Sequence, residues 1–233
     1  MANIGNLVEK YDKFVIFDTE TTGLNFARDE IIEFSAVVLE RQGNEVVVTR
    51  EYDNLVTLSP GNTVPPMIEN LTGISTQDIL ERGVPKAQVC ADIGEMFAGN
   101  PLLLAYNAHF DLSFLFYLLL RNGDPSMLKG KDKLDLLTVY KDRRPYPHKL
   151  CNAIDAYSLS GKVVNSHRAI DDVLATVAVM EAMAAEKDDL AQYINLFGYN
   201  PKYGIDGKPI GSVTYKPQRF HNAQFITPLY QSL

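Results

Sequence analysis

The sequence predicts an α/β fold, a mixed β-sheet with α-helices packed on its faces. Three observations carry this. A short apolar run, Phe14-Val15-Ile16-Phe17, ends in Asp18 and suits a buried central strand. Two stretches rich in Val, Ile and Leu, residues 31–39 and 45–58, are separated by Gln42-Gly43-Asn44 and read as an antiparallel hairpin. Beyond them, helical and strand-like segments alternate, as they do where helices cover a sheet.

The remaining elements follow in order. Pro60, Pro65 and Pro66 close the hairpin region with a loop. Two short helices are expected at residues 66–71 and 75–82, the second N-capped by Ser75. Val89, Ile93, Met96 and Phe97 give residues 86–98 a helical apolar period. Residues 102–105 read as a buried strand, and 109–121 as a helix apolar almost all round that stops at Asn122-Gly123. The stretch from Leu102 to Leu120 approaches a membrane span in length. Asn107, His109 and Asp111 in its middle would be costly in lipid, so no membrane association is expected. A short strand at 133–136 and helices at 137–143, 149–159 and 170–185 complete the domain. The last helix places Ile170, Val173, Leu174, Val177 and Glu181 on its main stripe. Asp172, Ala175, Thr176 and Val179 lie on the stripe beside it, where small residues allow close approach to a sheet. This domain is expected over residues 1–190. Residues 191–233, rich in Tyr, Gly, Pro, Asn and Gln toward their end, read as a C-terminal extension. It would be a hairpin or arm with a turn at Asp206-Gly207.

Composition narrows the function classes. An apolar fraction of 46% over 233 residues excludes a disordered chain, and the scattered 15 Gly and 12 Pro exclude a low-complexity one. Cys90 and Cys151 are too few for a disulfide framework and point to a reducing cytoplasm. Residues 1–13 carry Glu9, Lys10, Asp12 and Lys13 without an apolar run, so no signal peptide is expected. The net charge of −7 argues against a protein that coats nucleic acid non-specifically.

The informative carboxylates sit at element ends. In Asp18-Thr19-Glu20-Thr21-Thr22-Gly23-Leu24, residues i and i+2 of a strand share a face, so Asp18 and Glu20 project together. Two such carboxylates repel unless protons or cations intervene. In Asn107-Ala108-His109-Phe110-Asp111, a buried strand leads into a helix with Asp111 in its first turn, close to the core. In Ser166-His167-Arg168-Ala169-Ile170-Asp171-Asp172, His167 precedes a helix that carries Asp172 in its first turns, and Asp171 suits the helix dipole. The other histidines, His109, His148 and His221, read as structural or surface groups. Four converging carboxylates match the needs of two divalent ions, and hard oxygen ligands suit Mg²⁺ or Mn²⁺. Such a pair clamps the attacking and leaving oxygens of a phosphoryl displacement, while a neutral His takes a proton from the attacking water.

These motifs resemble those of the DEDD exonucleases, in the DnaQ-like branch with a histidine base. That branch includes the proofreading epsilon subunit of bacterial DNA polymerase III and the exonuclease domain of PolC, together with ribonuclease T and oligoribonuclease. The resemblance runs from about Phe14 to Met183. It rests on the ordered triple Phe-Asp-Thr-Glu-Thr-Thr-Gly-Leu, Asn-Ala-x-Phe-Asp-x-x-Phe-Leu and His-x-Ala-x-x-Asp. Leu134-Asp135-Leu136-Leu137 resembles a further family segment, and Tyr106 departs from the His many relatives carry there. The resemblance implies a ribonuclease-H-like fold and 3′→5′ hydrolysis that releases nucleoside 5′-monophosphates. It implies that Asp18, Glu20, Asp111 and Asp172 hold two metal ions and that His167 is the general base. It also implies a terminal-nucleotide pocket with Thr19, Thr21, Gly23, Leu24 and Asn107 as substrate-binding residues. Leu24 would be a wedge against the base, with Phe110 and Phe114 nearby.

The expected partner is the 3′ end of a nucleic acid, DNA favoured over RNA, with an RNA-directed exoribonuclease and a polymerase-associated proofreading subunit as the alternatives; the 191–233 extension would be the docking segment for a DNA polymerase or an arm on its own domain. Lys129, Lys131, Lys133, Lys141, Arg143, Arg144 and Lys149 outnumber the acids around them and suggest a backbone-tracking groove. So do Lys202, Lys208, Lys216 and Arg219. Two divalent ions would offset the charge of the four carboxylates, so the acidic balance does not oppose a nucleic-acid substrate.

Overall fold

The computed structural model describes residues 2 and 4–196. Its five strands are β1 (Lys13–Thr21), β2 (Ile31–Gln42), β3 (Glu45–Leu55), β4 (Leu102–Ala105) and β5 (Lys133–Asp135). Its helices are α1 (Pro66–Thr72), α2 (Thr76–Arg82), α3 (Lys86–Met96), α4 (Ala108–Asn122), α5 (Leu136–Arg143), α6 (Leu150–Ala156) and α7 (Ala169–Glu186). Short 3₁₀ turns at Gly5–Glu9, Pro125–Leu128 and Leu190–Tyr193 were not foreseen from the apolar pattern. Such turns span barely one repeat and leave no period to read.

The strands form one sheet in the order β3-β2-β1-β4-β5. β1 pairs antiparallel with β2 and parallel with β4, β3 pairs antiparallel with β2, and β5 runs parallel to β4. The expected hairpin therefore stands, turning through Gly43 at φ 64°. Ser75 caps α2 and Asp78 answers it in a capping box. The stretch that approached a membrane span splits into β4 and α4. Among the described residues no helix is long and apolar enough to cross a membrane.

Strand parity sorts the core into two layers. Val15 and Phe17 of β1 pack with Phe34 and Ala36 of β2 against α3 and α4. Phe14 and Ile16 pack with Val37 and Leu39 against α5, α6 and α7. On α7 the expected stripe needs correction. Leu174 is 42% exposed and Ile170, Val177 and Glu181 are only partly covered. The buried face carries Val173 of that stripe together with Asp172, Ala175, Thr176 and Val179 of the stripe expected to approach the sheet, and Met183. Small side chains win this face because α7 lies directly on β1 and β2, where bulk would hold it off.

Packing continues past residue 190. Leu190, Tyr193 and Leu196 are buried, the Tyr193 hydroxyl donates to Asp142 Oδ2 at 2.6 Å, and the Asn195 N–H donates to the Lys133 carbonyl at 2.8 Å. The rest of the expected extension, with the Asp206-Gly207 turn and the basic residues from Lys202 onward, lies outside the described residues.

Candidate active site

Because β1 and β4 are parallel, with Ile16 opposite Leu104, their carboxyl ends lie side by side. Open α/β sheets use this edge for ligands. Parity sends Asp18 and Glu20 to the α7 side and Thr19 to the α4 side. There the Thr19 N–H and hydroxyl both donate to Asp111 Oδ1, at 3.0 and 2.7 Å. Asp111 is 2% exposed, so these two donors hold a carboxylate that has little access to water.

The start of α4 is held from β5. Asn107 adopts a left-handed conformation, φ 70°, and offers α4 no side-chain cap. Its N–H and that of Ala108 donate to Asp135 Oδ1 at 3.0 and 3.2 Å. The same carboxylate caps α5 through the Leu137 N–H at 3.1 Å and accepts the Thr138 hydroxyl at 2.8 Å. Asp135 thus braces the turn that delivers Asp111.

On the other side, Glu20, His167 and Asp172 bring ligand atoms within 4.8 Å of one another. His167 is exposed and left-handed at φ 58°, while Asp172 is buried and accepts from Asn165 Nδ2 at 2.6 Å. The start of α7 is held from β2, where Glu33 accepts from the Arg168 guanidinium and from the Ala169 N–H.

Electrostatics mark the edge as strained by negative charge. Burial, and then the charges of Asp111, Asp172, Glu20 and Glu33, push Asp18 well above the usual carboxylate range. Burial and the same neighbours raise Glu20 to about 8. Burial raises Asp111 to about 7 against the pull of its Thr19 hydrogen bonds, and Asp172 to about 6 against Asn165 and His167. This set of hard oxygen donors, short of compensating charge, fits divalent cations.

The expected pocket residues separate into groups. Leu24 is 83% exposed on the loop after β1. Thr21 is buried and donates its hydroxyl to the Gly23 carbonyl at 2.7 Å, which shapes that loop. A Cβ on Gly23 would meet the Asp29 carboxylate, which itself accepts the Asn25 N–H at 2.7 Å. Thr19 faces Asp111 directly. Phe110 is partly buried and Phe114 lies in the core, their rings 4.9 Å apart. His109 is half-buried, and burial pushes its imidazole down to about 4.

The groove expected from Lys129 to Lys149 is mostly spent on structure. Arg143 pairs with Asp189 and Glu186, and Arg144 with Glu186. Lys131 donates to the Gly99 carbonyl and Lys133 is buried. Lys129 and Lys149 remain exposed. Sequence reasoning also missed Glu33, Asn165 and Arg168. The visible signal for Glu33 was a lone charge within the apolar run Ile31 to Leu39.

Comparison with known proteins gives these residues a context. The DNA polymerase III PolC-type protein of Clostridium perfringens is 33% identical over 202 residues, covering 85% of this chain and 13% of that protein. The DNA polymerase III subunit epsilon of Treponema pallidum is 29% identical over 180 residues, covering 76% of this chain and 79% of that protein. The chain thus spans about 13% of its Clostridium PolC-type relative. The crystal structure of E. coli Exonuclease I with a dT13 oligonucleotide superposes with a TM-score of 0.68 at 22% identity, over 78% of this chain and 43% of that one. The shared fold is the ribonuclease-H-like mixed sheet flanked by helices. A family model described as exonuclease matches residues 15–180, and the chain belongs to that family.

Proposed function

We propose that the protein is a metal-dependent 3′→5′ exonuclease that removes nucleoside 5′-monophosphates from the 3′ end of DNA, single-stranded or frayed. The observation that carries this reading is the meeting of Asp18, Glu20, Asp111, Asp172 and His167 at one sheet edge, within a chain of the exonuclease family. The four carboxylates would hold two Mg²⁺ or Mn²⁺ ions, which supply electrostatic stabilisation of the charge that develops on the phosphate oxygens.

The chain's own residues divide the remaining work. His167, exposed beside Glu20 and Asp172, takes the proton from the attacking water. Thr19 fixes the Asp111 carboxylate, and the loop from Thr21 to Leu24 receives the terminal nucleotide, with Asn107 and Phe110 beside it. DNA is favoured because Exonuclease I, the structural neighbour, is solved with DNA oligonucleotides and because the relatives are DNA polymerase III components. Those relatives also favour a second reading, a proofreading unit bound to a polymerase. The free cysteines, Cys90 buried and Cys151 exposed, fit a reducing cytoplasm.

The test is digestion of end-labelled single-stranded DNA, duplex DNA with a mismatched 3′ end, and short RNA, each with Mg²⁺, Mn²⁺ or a chelator. Release of 5′-monophosphates from DNA, lost with the chelator, is the expected result. Faster digestion of RNA would overturn the substrate, and metal-independent cleavage would overturn the mechanism. Co-purification with a polymerase tests the second reading.

A further inference from the structure

We propose that Glu33 and Arg168 are a positioning pair that fixes the segment from His167 to Asp172 against the sheet, without either residue touching metal or substrate. The inference rests on the functional reading above and adds two residues to it.

Glu33 is the side chain that a buried strand should least tolerate. It is 0% exposed, within β2 and directly opposite Glu20 of β1. Burial of an isolated carboxylate is costly, so its partners must matter. Both of its oxygens are used. Oε1 accepts Arg168 Nε at 2.9 Å and also Arg168 Nη2, and Oε2 accepts the Ala169 N–H at 2.8 Å. Glu33 therefore stands among the metal-binding carboxylates with its lone pairs already engaged, which separates it from Asp18, Glu20, Asp111 and Asp172.

What it engages is the start of α7. That helix has no side-chain cap of its own at Arg168. The first N–H groups of a helix need acceptors, and a carboxylate there also complements the helix dipole. Glu33 supplies both from another strand, 136 residues away in the chain. The residue before this contact is His167, held at φ 58°, and Asp172 lies within the first turn after it. A side chain in the left-handed region persists only where its surroundings impose it. The clamp at Arg168 and Ala169 holds the backbone directly after His167, as the hydrogen bond from Ser166 to Asp171 holds it directly before. It sets where the imidazole leaves the backbone and how deep α7 seats Asp172.

The experiment compares Glu33→Gln, Arg168→Ala, Arg168→Lys and the Glu33→Gln/Arg168→Ala double variant with the wild type. The glutamine keeps the shape but turns an N–H group toward a donor. Expected losses are about 10–100-fold in kcat for Glu33→Gln and Arg168→Ala, of the size seen when partners of metal ligands are removed. KM on single-stranded DNA should hold, Mn²⁺ affinity should weaken, and amide exchange should quicken in the first turn of α7. The double variant should be no worse than the poorer single one, and Arg168→Lys should recover part of the loss. A pair that serves stability alone would lower Tm and leave kcat and Mn²⁺ affinity of the folded variants at wild-type values, and that result overturns the proposal. Should Glu33→Gln fail to fold, the Arg168 variants decide, because that side chain is 39% exposed. If the wild type digests no DNA, the functional reading fails, while Mn²⁺ affinity and α7 exchange still judge the pair.

Discussion

The two helices that bring carboxylates to the end of β1 do so in opposite ways. On the α4 side, Asp111 is sealed from water and already gripped by the Thr19 N–H and hydroxyl. On the α7 side, His167 is open to solvent and shares a cluster with Glu20 and Asp172. One half is built before any ligand arrives, and the other faces the solvent from which water and substrate come. The contrast suits a reaction that needs a fixed template and an accessible base.

Asp18 feels the charges of both Asp111 and Asp172, so on the proposed function Asp18→Ala should have the largest effect, abolishing hydrolysis and Mn²⁺ binding. Undiminished Mn²⁺ binding by calorimetry would break the comparison at its centre. His167→Ala should touch the open half alone, cutting kcat by about 10²–10⁴ while Mn²⁺ binding and Tm hold. Loss of metal binding in that variant would make His167 a ligand instead.

Thr19→Val tests the sealed half. It leaves the backbone donor but strips a hydroxyl from a buried carboxylate, at a cost of about 1–3 kcal/mol in urea unfolding. A neutral result would show that Asp111 does not depend on it. pH probes both halves together. The folded metal-free protein has Glu20 near 8, Asp111 near 7 and Asp172 near 6, while the unfolded chain has carboxylates near about 4. Between those values the folded state holds more protons than the unfolded one, so stability falls as pH rises from 5 to 8. Mn²⁺ displaces those protons, so its stabilising effect should grow over the same interval. Calorimetry at both ends, with and without Mn²⁺, checks this, and a metal-free Tm that rises with pH would refute it. Leu24→Ala should be mildest, raising KM for a terminal nucleotide with no change in Tm, because the side chain is 83% exposed.

Much of this was legible in the sequence because it is local. The apolar run before Asp18, the turn at Gly43 and the i, i+2 placement of Asp18 and Glu20 all lie within a few residues. What escaped was set by tertiary contact. The small residues of α7 marked a face that could approach the sheet, but the exposure of Leu174 on the neighbouring stripe follows only from how α7 lies on β1 and β2. The basic residues from Lys129 to Lys149 promised a groove, but Glu186 and Asp189, some forty residues on, take up two of the arginines. Glu33 announced itself as a charge in a buried strand, yet nothing local names Arg168 as its partner.

The N-terminal 3₁₀ turn and the segment after α7 meet within the described residues. Asn6 Nδ2 donates to the Asp188 carbonyl at 3.2 Å, and the Ala191 N–H donates to Asn6 Oδ1 at 3.2 Å. Both contacts sit beyond the C-terminal end of α7, whose 18 residues reach about 27 Å from the carboxylate edge. From there the described chain returns to β5 and α5, where the Asn195 N–H donates to the Lys133 carbonyl and the Leu196 carbonyl accepts the Thr138 hydroxyl at 3.4 Å. Through that one threonine the last described residue reaches Asp135, the carboxylate that braces the turn before Asp111.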